Sequence, residues 1–91
     1  MYKVVIIEDD IELAQTLSKV LSIEAPFFEL KGIAPSISEG EILINGVKPD
    51  VVFFDVELKD GLSFELLEKL PKIDFEIIFV TAFSHYAINA F

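Results

Sequence analysis

Five consecutive residues in the middle of the chain, Val51-Val52-Phe53-Phe54-Asp55, limit its possible folds more than any other stretch. Four large, β-favouring apolar residues in a row predict a strand that is buried on both faces, which is typical of a parallel sheet. The run ends in a carboxylate, which is costly to bury. We therefore expect Asp55 to lie at the carboxyl edge of the sheet, where open α/β folds bind ligands. A turn or helix cap is the simpler role for an aspartate in this place.

Short apolar runs alternate with helical repeats along the rest of the chain. Further strands are predicted at 4–7, 27–33 and 76–80, and helices at 11–23, from Pro35 or Ser36 to a cap at Asn45-Gly46, at 63–70 and from Ser84 onward. The first helix is expected to bury Leu13, Leu17, Val20 and Leu21, and the third to bury Phe64, Leu67 and Leu70. Residues 56–61 are predicted to form a loop, and Asp9 or Asp10 to cap the first helix. This alternation predicts an α/β fold, with a parallel sheet covered by helices on both faces.

Composition limits the kinds of function that the chain can have. Its 91 residues suffice for one small domain, and 53% of them are hydrophobic, enough to bury a core. The absence of cysteine excludes thiol catalysis and zinc–thiolate sites and is compatible with the cytoplasm. No apolar run is long enough to span a membrane. The net charge of −9 predicts a cation or a basic partner and no direct binding of nucleic acid.

Polar residues stand at the ends of three predicted strands. Glu8 and Asp9 follow the first strand, Asp55 ends the third, and Thr81 follows the fourth. Parallel strands share one carboxyl edge, so we expect these side chains to converge. Two carboxylates about 4 Å apart repel by roughly 4 kcal/mol at an effective dielectric of 20, and a cation or a proton would offset this repulsion. Oxygen ligands without a nearby His or Cys favour Mg²⁺, whereas acids that point into solvent would bind nothing.

Three motifs together resemble a known family. They read Val4-Val5-Ile6-Ile7-Glu8-Asp9-Asp10, Pro49-Asp50-Val51-Val52-Phe53-Phe54-Asp55 and Ile77-Ile78-Phe79-Val80-Thr81-Ala82. In this order and at these separations they are similar to the receiver domain of two-component response regulators, and the similarity covers the whole chain. Residues 81–91 resemble the end of receivers that precede a LytTR-type DNA-binding domain.

The resemblance implies a flavodoxin-like, doubly wound parallel sheet with strand order 2-1-3-4-5. It implies that Asp55 is the phosphoacceptor, which attacks a phosphohistidine of a sensor histidine kinase. Glu8 and Asp9 would hold Mg²⁺ together with Asp55 and the backbone carbonyl of Glu57. The hydroxyl of Thr81 would bond the phosphoryl group and carry the switch. Such a domain is a signalling phosphoacceptor rather than a true enzyme, and it controls an output domain.

The chain departs from the family pattern in three respects. Lys59 stands where many members have proline, and Glu8 replaces the commoner aspartate of the acidic pair. Members continue for one more strand and helix, and that strand carries a lysine with no counterpart here. We therefore expect residues 1–91 to be a receiver domain that lacks its carboxyl-terminal part and has four of five βα units. Its fourth strand would be left as an exposed edge, which favours a homodimer or other self-association.

Two other interpretations remain. The chain is a pseudo-receiver if it acts only as an interaction module without phosphorylation, although Asp55, the acidic pair and Thr81 argue against this. A haloacid-dehalogenase-like phosphohydrolase also uses a strand-end aspartate beside Mg²⁺. That family has an aspartate two residues after the nucleophile, where this chain has Glu57, and needs a later lysine that is absent here.

Overall fold

The computed structural model describes residues 1–80, in which strands and helices alternate. Their order is β1 (Tyr2–Ile7), α1 (Ile11–Glu24), β2 (Phe28–Ala34), α2 (Ile37–Val47), β3 (Val51–Phe54), β4 (Glu57–Leu58), β5 (Gly61–Leu62), α3 (Ser63–Lys69) and β6 (Glu76–Phe79). Thr81 and the helix predicted from Ser84 lie outside the described residues. Within residues 1–80, no helix is both long and apolar enough to cross a membrane.

The main sheet contains four parallel strands in the order β2-β1-β3-β6. This order confirms the flavodoxin-like arrangement predicted for the first four strands. β3 lies in the interior of the sheet, so that Phe54, for example, pairs with Ile7 on one side and with Phe79 on the other. The chain winds in opposite directions from β1 and from β3. The loops after these two strands therefore flank the switch point at which open α/β sheets bind ligands.

The side chains of β3 alternate between two hydrophobic clusters, one on each face of the sheet. Val52 and Phe54 belong to a cluster with α2 and α3, and Val51 and Phe53 belong to a cluster with α1. All four are at most 8% exposed. Burial of each such side chain stabilises the fold by roughly 1.5–3 kcal/mol. The prediction of a strand buried on both faces is confirmed.

The buried face of α1 differs in part from the predicted one. Leu17 and Leu21 pack against the sheet as expected, and Ala14 lies between the helix and the sheet with no exposed surface. Leu13 and Val20 were predicted to be buried but are 41% and 47% exposed. The prediction was wrong at these two positions because large apolar residues dominate a periodic pattern. A small residue such as Ala14 contributes little to that pattern, yet it lets the helix approach the sheet closely.

The buried face of α3 also differs in part from the predicted one. Leu66 is fully buried in the cluster with α2, and Leu70 and Leu67 pack there as expected. Phe64, predicted to be part of this face, is 48% exposed, and its ring lies 5.4 Å from the ring of Phe79. Residues 63, 66 and 70 form the i, i+3, i+7 stripe that faces the core, and residue 64 lies beside that stripe.

The end of α2 and the loop after β3 are also more regular than predicted. α2 does not end at Asn45-Gly46 but continues to Val47, which packs against the core, and ends at Lys48 in the left-handed conformation with φ 53°. The backbone N–H of Lys48 donates to the carbonyl of Ile44 at 2.8 Å and closes the last turn. Residues 56–61, predicted to be a loop, contain most of the antiparallel hairpin of β4 and β5.

We predict that Leu66→Ala lowers the free energy of unfolding by about 2–5 kcal/mol, because it leaves a cavity in a cluster from which water is excluded. Phe64→Ala removes a larger side chain that is half exposed, and it should lower the same quantity by only about 1 kcal/mol. Urea unfolding of the two variants, followed by circular dichroism, measures the difference. Equal losses would contradict the assignment of the buried face.

Candidate functional site

Three carboxylates meet at the carboxyl edge of the sheet. Glu8 and Asp9 follow β1, and Asp55 follows β3. One oxygen from each lies within 4.8 Å of the others. Glu8 is only 7% exposed, whereas Asp9 and Asp55 are partly open to solvent. The structure thus brings together the three acids that the sequence places at matched strand ends.

The sheet itself fixes the backbone on which these acids stand. The N–H of Glu8 donates to the carbonyl of Ala34 at 2.9 Å, and the N–H of Asp55 donates to the carbonyl of Ile7 at 2.9 Å. Both bonds continue the ladders of the parallel sheet by one residue beyond the strands. The N–H of Val80 likewise donates to the carbonyl of Phe54 at 2.7 Å. Thr81, the predicted switch hydroxyl, is the next residue and lies outside the described residues.

Asp10 caps α1, which settles the choice that the sequence left open between Asp9 and Asp10. One carboxylate oxygen of Asp10 accepts hydrogen bonds from the N–H groups of Glu12 (3.0 Å) and Leu13 (3.2 Å). The backbone N–H of Asp10 donates to Glu8 Oε2 at 3.1 Å and orients that carboxylate. Asp9 takes no part in the cap, so its side chain is available to the acid cluster.

Burial and mutual repulsion raise the pKa values of Glu8 and Asp55. Burial raises the pKa of Glu8 from its ordinary value of 4.5 to about 8; the N–H of Asp10 opposes this rise, and the nearby charge of Asp55 adds to it. Burial also raises the pKa of Asp55, while a hydrogen bond from Glu8 counteracts the rise. Without a cation, the pair is therefore stabilised by a shared proton. A divalent cation would do the same more strongly at neutral pH.

The donor set fits Mg²⁺. All three side chains offer hard carboxylate oxygens, and Mg²⁺ in proteins is held by a few carboxylates together with waters and phosphate oxygens. Asp9 and Asp55 are partly exposed, so their carboxylates are open to solvent. The arrangement can hold a cation beside the carboxylate of Asp55.

The loop after Asp55 contributes its backbone to the site. The backbone N–H groups of Val56 and Glu57 favour the charged carboxylate of Asp55 and partly offset the rise of its pKa. The side chain of Glu57 is exposed. The proposed metal contact of the Glu57 carbonyl stays a prediction.

Asp60 belongs to the same edge, although its part was missed from the sequence. It lies in the turn of the β4–β5 hairpin, and its carboxylate accepts hydrogen bonds from the N–H groups of Ile37 (2.8 Å) and Ser38 (3.3 Å) at the start of α2. The bond from Ile37 is the main cause that lowers the pKa of Asp60. The pair Asp60-Gly61 signals a turn, but nothing near it in the sequence indicates a contact with α2.

Comparison with known proteins identifies relatives of this chain by sequence and by structure, although no family model matches it. Over its whole length it is 37% identical to an uncharacterized response regulatory protein from Vibrio cholerae and 35% identical to the sensory transduction protein LytT from Bacillus anthracis. The non-phosphorylated HemR receiver domain from Leptospira biflexa matches with a TM-score of 0.74 and 31% identity, over 90% of this chain and 65% of that one. The chain belongs to the receiver domains of response regulators. This receiver spans 38% of the Vibrio relative and 37% of LytT.

We predict that, without metal, the receiver loses stability as the pH rises from about 4.5 to 8. The folded pKa of Glu8 is raised, so the folded state binds the proton more tightly than the unfolded state does. The stabilisation is therefore complete below the unfolded pKa and is lost as the pH rises through the folded pKa, by at most roughly 1.4 kcal/mol per pH unit.

Chemical unfolding at a series of pH values in the presence of EDTA measures this dependence. Glu8→Gln should flatten it and stabilise the metal-free protein at pH 8. The control is Glu24→Gln at the exposed end of α1, which should leave the wild-type slope intact. A slope that persists unchanged in Glu8→Gln would assign the titration to another group.

Proposed function

We propose that Asp55 accepts a phosphoryl group from a phosphohistidine of a sensor histidine kinase. Phosphorylation would control an output domain elsewhere in the protein, and a LytTR-type DNA-binding domain is the expected one. The observation that supports this most is the cluster of Glu8, Asp9 and Asp55, with oxygens within 4.8 Å, at the switch point of a receiver fold. Retention of this cluster disfavours the pseudo-receiver interpretation, and membership in the receiver family disfavours the phosphohydrolase.

The proposed reaction moves one phosphoryl group between two side chains. A carboxylate oxygen of Asp55 attacks phosphorus, and a new P–O bond forms while the P–N bond to the kinase imidazole breaks. The imidazole nitrogen keeps the electron pair of that bond and takes up a proton. The N–H groups of Val56 and Glu57 favour the charged form of the Asp55 carboxylate, which is the form that attacks. The product is an aspartyl phosphate, and hydrolysis by water would return Asp55.

Glu8, Asp9, Asp55 and the backbone carbonyl of Glu57 would hold Mg²⁺. When bound, the cation offsets the negative charge of the acids and of the phosphoryl oxygens. Thr81 would donate its hydroxyl to the phosphoryl group and carry the switch. In this proposal the receiver works in the cytoplasm and promotes only its own phosphorylation and dephosphorylation, so it is not an enzyme that acts on other substrates.

Labelling with a small acyl phosphate tests the proposal. In the intact protein with Mg²⁺, we expect one added phosphate, located on Asp55 by mass spectrometry, and no labelling in EDTA. Asp55→Asn should remove the label. The control Asp50→Asn changes an acid at the opposite end of the same strand, where Asp50 accepts a hydrogen bond from the N–H of Lys3 at 2.7 Å, and it should keep the label. Undiminished labelling of Asp55→Asn would refute the assignment, and an unlabelled wild type would favour the pseudo-receiver.

We also propose that copies of the chain of residues 1–91 self-associate. Within residues 1–80, no strand pairs with the outer edge of β6, and Ile77, Ile78 and Phe79 on that strand are only half-buried. Light scattering after size exclusion should give a mass above that of one chain at high micromolar concentration. Ile77→Lys, which adds charge to the strand, should shift the protein toward the monomer. A wild type that stays monomeric over this range would contradict the proposal.

A further inference from the structure

Asp60 joins two loops that are distant in the sequence. Its Oδ1 accepts the N–H of Ile37 at 2.8 Å across 23 positions, and its Oδ2 accepts the N–H of Ser38 at 3.3 Å across 22 positions. The first N–H groups of a helix have no partner within the helix, and the helix dipole favours a carboxylate beside them. The bond therefore ties the turn of the β4–β5 hairpin to the start of α2.

α2 has a local cap at Ser36, and Asp60 adds to this cap from a distant part of the chain. Ser36 Oγ accepts the N–H of Glu39 at 3.2 Å, which is the ordinary N-cap bond. This serine satisfies only the N–H of Glu39, whereas the N–H groups of Ile37 and Ser38 bond to Asp60. Because it lies in the β4–β5 turn, Asp60 also connects α2 to the loop that follows Asp55.

That loop carries the backbone groups of the candidate metal site. Glu57 pairs with Leu62 in the hairpin, and Leu58 is buried in the core at 7% exposure. Leu58 anchors one side of the loop, and Asp60 anchors the turn. Gly61, with φ 144°, permits the turn that directs Asp60 toward α2.

The start of α2 is also close in the chain to the residue that bonds the backbone of Glu8. It begins three residues after Ala34, whose carbonyl accepts the N–H of Glu8 at 2.9 Å. The bond from Asp60 to α2 thus completes a series of contacts between the two sides of the acid cluster. The series runs from Glu8 through the end of β2 and the start of α2 to the loop that follows Asp55.

We propose that Asp60 is a positioning residue for the metal site, which holds the loop carrying Glu57 against α2 so that the oxygens around Asp55 keep the spacing that Mg²⁺ requires. The inference rests on the proposed function. Mg²⁺ demands near-ideal octahedral geometry, so a loop that moves by a fraction of an ångström weakens its binding. Partners that orient metal ligands commonly contribute a factor of 10 to 100 in affinity.

The test is the Kd of Mg²⁺ for the intact protein, measured by isothermal titration calorimetry well below the melting temperature. Asp60→Ala should raise the Kd roughly tenfold, as loss of an orienting partner does. Asp60→Asn removes the same charge but keeps one oxygen that can accept the N–H of Ile37, so its Kd should lie between those of wild type and Asp60→Ala. Ser36→Ala removes the local cap of α2 without touching the loop. It should lower the melting temperature of the protein but leave the Kd at the wild-type value.

Each alternative gives a different result. If Asp60→Ala binds Mg²⁺ as tightly as wild type, the inference is wrong and the proposed function stands. Equal losses in the Ala and Asn variants would assign the effect to charge, and an equal loss in Ser36→Ala would assign it to the stability of α2; either result overturns the positioning role. A wild type that does not bind Mg²⁺ would overturn the proposed function together with this inference.

Discussion

The pairing of β3 between β1 and β6 is the constraint on which the rest of the structure depends. Both edges of this strand are hydrogen-bonded and both of its faces are covered, so its four residues are at most 8% exposed. The residue that follows has little backbone freedom, because the N–H of Asp55 is bonded to the carbonyl of Ile7. A side chain on such a rigid support occupies a defined position, which is what a nucleophile and a metal ligand require.

The same support forces acids together that repel one another. Glu8 is buried, and burial raises its pKa to about 8. Without a bound cation, Glu8 therefore lowers the stability of the folded state at neutral pH relative to acid pH. The two apolar clusters on either side of the sheet provide the stability that offsets this repulsion. A proton relieves the repulsion, and the proposed cation would do so too, which would link the stability of the receiver to cation binding.

Acidic residues at this edge differ in role according to the hydrogen bonds within their reach. Asp10 and Asp60 accept backbone N–H groups at the starts of α1 and α2, and both lower the cost of beginning a helix there. Glu8, Asp9 and Asp55 face one another and make up the cluster. The helix caps hold the loops in place, and the cluster concentrates negative charge that the proposed cation would offset. The five carboxylates at this edge therefore have two roles: two of them cap helices, and three form the acid cluster.

The sequence by itself determined the order of strands and helices, the central place of β3 and the meeting of Glu8 and Asp9 with Asp55. Those features follow from apolar runs, helical periods and strand ends, all of which are local. Only the tertiary structure decided that Ala14 and Leu66 rather than Val20 and Phe64 face the core. It alone decided that Asp60 bonds α2 across 23 positions. A local pattern gives the period of a helix but not how closely it approaches a sheet, and a hydrogen bond between distant loops leaves no local signal.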